Sequence, residues 1–123
     1  MKFSEDYAIG TNVIRAFSDS TIDVNSTTYN RSLIVGNNVL LDDWGVNQIA
    51  DISHEHWQQL LAHKPEVILI GTGQSLVFPH PSSYAVVIEA GIGVEFMDSG
   101  AACRTYNVLV SEDREVIAAI ILI

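Results

Sequence analysis

The chain has 123 residues, 48% hydrophobic and 17% charged, which suits one self-sufficient domain and excludes a disordered segment. Asp plus Glu number 15 against 6 Lys plus Arg, and the resulting charge of -9 repels nucleic-acid backbones and anionic membranes. A lone cysteine, Cys103, allows no internal disulfide and fits a reducing compartment.

Residues 1–6 have neither an apolar core nor a small-residue cleavage site, so no secretory signal is read there. The longest apolar run, 116–123, is too short to span a bilayer, and a cytoplasmic location without membrane insertion is expected. Up to about Trp44 the chain lacks helical periodicity. Short segments rich in β-branched and aromatic residues, at 12–17, 21–24, 27–29, 32–35 and 39–41, are separated by turn formers such as Asn25-Ser26 and Gly36-Asn37-Asn38. This pattern predicts β-hairpins, and the alternation around Ile22 and Val24 predicts one wet face.

Asp51 and Ser53 offer an N-cap to a helix over 54–63, whose stripe is Trp57, Leu60 and Leu61 and which Pro65 stops. The run Val67-Ile68-Leu69-Ile70 reads as a strand covered on both faces, its burial contributing on the order of 6–12 kcal/mol before chain entropy is subtracted. After the Gly71-Thr72-Gly73 turn, Pro81 suits a first helical position, Tyr84, Val87 and Ile88 form a stripe, and Gly91 ends the helix. Residues 93–96 form the next strand. Strand, helix and strand make a βαβ unit with a right-handed crossover. Asp98 and Ser99 are both suitable caps for a third helix over 100–111, although Val108-Leu109-Val110 is β-prone. The run 116–123 reads as a buried final strand. The expected fold is α/β: one domain over 1–123, β-hairpin-rich over 1–44 and α/β over 45–123, with a mixed central sheet and flanking helices.

No catalytic constellation is visible. Gly71-Thr72-Gly73 lacks the third glycine of a dinucleotide fingerprint, because Leu76 stands there. His54 and His56 project from opposite sides of a helix and His63 lies two turns beyond His56, so no metal set forms. Cys103 sits mid-helix among Ala101 and Ala102, as a small buried apolar residue would. Asp42 and Asp43 are adjacent and diverge. The βαβ reading instead predicts that Thr72, Gly73, Gln74, Asp98 and Ser99 meet at the C-terminal ends of strands 67–71 and 93–97, where open α/β sheets bind ligands. Asp98, by capping the helix itself, argues against a strongly anionic ligand. Glu95, in a strand expected to be covered, calls for a cation, and Arg104 one turn into the following helix is the nearest basic residue in sequence, so an ion pair is expected.

The segments Leu69-Ile70-Gly71-Thr72-Gly73, Gly91-Ile92-Gly93-Val94-Glu95-Phe96-Met97-Asp98 and Ala101-Ala102-Cys103-Arg104-Thr105-Tyr106-Asn107 carry a further signal. Here the chain resembles a small domain family of unknown function from bacteria and archaea, whose mitochondrial relatives include assembly factor three of complex I (NADH:ubiquinone oxidoreductase). Ser32-Leu33-Ile34 and Trp44 extend the likeness more weakly. The resemblance implies a compact α/β domain, no established enzymatic activity and no agreed cofactor. Assembly of a respiratory complex belongs to the mitochondrial members; the acidic start here is unlike a transit peptide. The leading expectation is therefore a non-catalytic protein-interaction or assembly role with a protein partner, using an exposed apolar patch to which Tyr7, Phe17 and Trp44 are candidates, ordinary core packing being favoured for Trp44. The alternative is a small-molecule binder or hydrolase using the crevice at the strand ends.

Overall fold

A computed structural model describes residues 10–122. The expectations attached to residues 1–6, Tyr7 and Ile123 lie outside the described residues.

The described residues form a mixed α/β domain with eight strands in two sheets. The small antiparallel sheet is β1 (Ile14–Phe17), β2 (Ile22–Val24) and β3 (Thr27–Tyr29), in that order. The main sheet has the order β5 (Val39–Leu41), β4 (Leu33–Gly36), β8 (Val116–Ile120), β6 (Val67–Gly71), β7 (Gly93–Met97). β4 is antiparallel to β5 and β8, whereas β6 is parallel to β8 and β7. The hairpin-rich segment is thus divided between the sheets. Ile22 and Val24 are buried while their neighbours Thr21, Asp23 and Asn25 are not, so β2 needs cover on one face only. Leu33, Ile34 and Val35 are all buried, and a strand apolar on both faces must join a sheet covered on both.

Three helices flank the main sheet: α1 (His54–Leu61), α2 (Ala85–Glu89) and α3 (Ser99–Ser111). Ser53 caps α1 in a reciprocal box with His56, whose Nδ1 accepts from the Ser53 N–H at 2.9 Å. The helix expected after Pro81 begins as a 3-10 turn, Pro81–Tyr84, and becomes α-helical only at Ala85. Gly91 follows it with φ 76, a conformation that suits glycine. Asp98, not Ser99, caps α3, its Oδ1 accepting from the Ala101 N–H at 2.9 Å. α3 continues through Val108-Leu109-Val110, because Tyr106 and Val110 are buried against the sheet and tertiary packing outweighs a weak local β preference.

The core lies in two clusters divided by the main sheet. Val67 and Leu69 of β6 point into one with Ile14, Ile22, Ala102 and Tyr106, which joins the small sheet to α3. Ile68 and Ile70 point into the other with Trp44, Trp57, Leu60 and Val87. The alternation of β6 between two apolar layers is the covering that its unbroken apolar run requires.

Candidate functional site

β6 and β7 run in parallel register from Val67 opposite Gly93 to Gly71 opposite Met97, so their C-terminal ends share one edge. Thr72, Gly73 and Ser99 meet there. The Gly73 N–H donates to Ser99 Oγ at 2.9 Å, the Ser99 N–H donates to the Gly73 carbonyl at 2.9 Å, and Ser99 Oγ–H donates to the Ile121 carbonyl at 2.7 Å. Ser99 is fully buried. A Cβ on Gly71 would lie 2.9 Å from Ser99 Cα, so only glycine lets the helix start approach the strand this closely. Thr72 Oγ1 donates to the Ser75 carbonyl at 2.6 Å and accepts from the Val77 N–H at 3.1 Å, shaping the loop beyond β6. Gln74 Nε2 reaches Asp19 Oδ2 at 3.0 Å and ties that loop to the turn between β1 and β2. The five residues expected at the crevice are thus engaged with the protein itself. What remains open is a depression of ≈ 350 Å³ bounded by Thr72, Gly73 and Gln74 with Asn47, Gln48 and Ile49.

Glu95 and Arg104 require a correction. β7 is an edge strand and Glu95 is exposed, so the burial that demanded a cation is absent. The two form no ion pair; among the described residues the salt bridges join Arg31 to Asp43 at 3.0 Å and Arg114 to Glu66 at 2.5 Å. Long helical side chains lean toward the preceding turn. Arg104 does so, its guanidinium lying over Gly100 beside Asp98 and Phe17. Cys103 is buried, and burial pushes its thiol from 9.0 up to about 12, against a smaller downward pull from Arg104. It is an inert core residue. The thiol is protonated in the fold where the unfolded chain has already lost its proton. The contribution of Cys103 to stability is therefore full below pH 9.0 and falls as pH rises toward about 12. Alkaline denaturation of Cys103→Ala should show a weaker loss over that window, and the native thiol should react with a disulfide reagent only on unfolding.

The two histidines of α1 make separate contacts. His56 serves the cap described above and packs edge-on against Trp44, ring centroids 5.7 Å apart, while His54 contacts Gln58 at 3.2 Å. Of the aromatics named as patch candidates, Tyr7 lies outside the described residues. Trp44 is only 5% exposed and Phe17 packs against the core. Instead Leu76, Val77 and Phe78 are 49%, 45% and 67% exposed in the loop that Thr72 shapes. Phe78 packs edge-on against Phe96 of β7 at 6.1 Å, and Phe96 in turn contacts Tyr84 and Trp57. A second depression of ≈ 300 Å³ joins Val77, Phe78 and Pro79 to Ile49 and Ile52. The signal was present in sequence, as three consecutive apolar residues between polar turn formers.

Residues 14–121 match a family described as a protein of unknown function (DUF498/DUF598). The chain belongs to that family. DUF498/DUF598 relatives include the "13 kDa major membrane protein" of Francisella tularensis subsp. holarctica, 38% identical over 99 residues and 80% of each chain. The Xenopus tropicalis protein named NADH dehydrogenase [ubiquinone] 1 alpha subcomplex assembly factor 3 is 34% identical over 80 residues, 63% of this chain. The chain spans only 44% of that assembly factor's length. A crystal structure from Bordetella parapertussis superposes with TM-score 0.87 at 33% identity, covering 94% of this chain and 99% of that one. The resemblance to complex I assembly factor three and the α/β fold expected from it therefore hold. Among the described residues of this DUF498/DUF598 protein, no helix is long and apolar enough to cross a membrane.

Proposed function

We propose that this protein is a non-catalytic, assembly-type interaction domain that acts in the cytoplasm through a protein partner. The observation that carries the reading is the Leu76–Val77–Phe78 loop, apolar and exposed yet held in shape by Thr72 and continuous with Phe96. A large apolar surface of this kind is costly in water and gains by being covered. Kinship with the complex I assembly factors supports a protein partner. The reading gives the crevice residues a structural task, holding the loop and the start of α3.

The chain used as bait in its native organism should co-purify a partner in near-equal amount, and Phe78→Asp should reduce that recovery roughly tenfold or more, as loss of a central aromatic anchor does. The variant should keep the wild-type melting temperature, because Phe78 is two-thirds exposed. The alternative, a small-molecule binder or hydrolase, rests on the ≈ 350 Å³ depression beside Gln74. A metabolite that raises the melting temperature of the wild type but not of Gln74→Ala, with no partner recovered, would favour it.

A further inference from the structure

We infer that the outer edge of β7 accepts an extended segment of the partner as a sixth strand, and that this segment alternates apolar with basic side chains. The inference deepens the interaction reading and rests on it. β7 is a five-residue strand at the end of the main sheet. The Met97 carbonyl accepts from the Thr72 N–H on the β6 side at 2.8 Å. Backbone groups alternate along a strand, so those of Val94 and Phe96 point outward. Both residues are described, and neither makes a backbone bond on that side among the described residues. Other edges are dealt with differently. Asn107 accepts from the Ile14 N–H at 3.0 Å and donates to the Ile14 carbonyl at 2.6 Å, closing part of the free side of β1. β3 and β5 are only three residues long.

An unpaired edge supplies main-chain hydrogen bonds to any extended chain, so the side chains beside it must choose the occupant. Phe78 over Phe96 provides an apolar contact at the edge. Charge supplies the rest. No Lys or Arg occurs between Lys64 and Arg104, while Glu89 and Glu95 are exposed. A second copy pairing along the same edge brings Glu95 toward its own equivalent, and like charges facing across strands are unfavourable. A segment with Lys or Arg beside Glu95 meets complementary charge instead.

Short random peptides displayed against the full chain test this. The expected winners alternate apolar residues with Lys or Arg and slow amide exchange at Val94 and Phe96. Glu95→Lys should weaken them roughly five- to tenfold and shift the selection toward Asp and Glu. Val94→Pro removes an outward N–H without touching the β6 ladder and should abolish binding. Winners without basic residues, unchanged exchange at Val94 and Phe96, or a concentration-dependent dimer lost in Val94→Pro would each overturn the inference. A native partner kept by Val94→Pro and Glu95→Lys but lost by Phe78→Asp would overturn strand addition and leave the interaction reading standing. Recovery of no native partner by the wild type would remove that reading itself.

Discussion

Ser99→Ala should lower the stability of this protein by roughly 2–5 kcal/mol, a fall in melting temperature of about 10 °C or more. The hydroxyl is fully buried, donates to the Ile121 carbonyl at 2.7 Å and accepts from the Gly73 N–H at 2.9 Å. Its removal leaves a buried donor and a buried acceptor unmet, each costing about 1–3 kcal/mol. Alanine places no polar atom in the space that the hydroxyl leaves. Ser99→Thr retains the hydroxyl, but its extra methyl must fit where the start of α3 approaches Gly71 closely enough to exclude even a Cβ. Thermal and urea denaturation of the two variants measure the effect. A loss under about 0.5 kcal/mol for Ser99→Ala would show that water replaces the hydroxyl, and would return this edge to consideration as a ligand crevice.

The second large effect is expected at Trp57. Trp57→Ala should cost about 3–5 kcal/mol, as truncation of a large aromatic in a closed core does. Trp57 is fully buried and packs against Tyr84 and Phe96, with ring centroids 6.2 Å away in both cases. Its indole N–H, like that of Trp44, is buried without a hydrogen-bond partner among the described residues. Trp57→Phe therefore discards an unmet donor while keeping most of the ring, and should cost well under half as much as the alanine variant. Because Phe96 bridges Trp57 to Phe78, the alanine variant should also weaken partner recovery, and Trp57→Phe should restore it. Equal losses for the two substitutions would show that the indole N–H has a partner in solution.

The elements themselves were legible in the sequence because their signals are local. Five short β segments before Trp44 became five strands, Ser53 became a cap, and Gly91 took a positive φ after α2. Buried runs were legible too, since Val67 to Ile70 are apolar at every position and pack into both core clusters. The family likeness at residues 91–107 was equally a property of the sequence. The meeting of Thr72, Gly73 and Ser99 followed from one topological step, a parallel βαβ unit.

Strand order was the limit. A run of side chains reports whether a strand needs cover on one face or two, but its neighbours are chosen by contacts distant in the chain. β4 pairs with β8, joining Leu33 to Ile120. This is why the β4–β5 hairpin joined the main sheet, why β7 fell at an edge, and why Glu95 needed no cation. Local sequence fixed periodicity, caps and turns, because each depends on a few adjacent residues. Only tertiary structure decided that the serine at the start of α3 would be sealed, that Arg104 would lie over Gly100, and that Leu76, Val77 and Phe78 would remain exposed. Each of those outcomes depends on which surfaces the rest of the chain leaves uncovered.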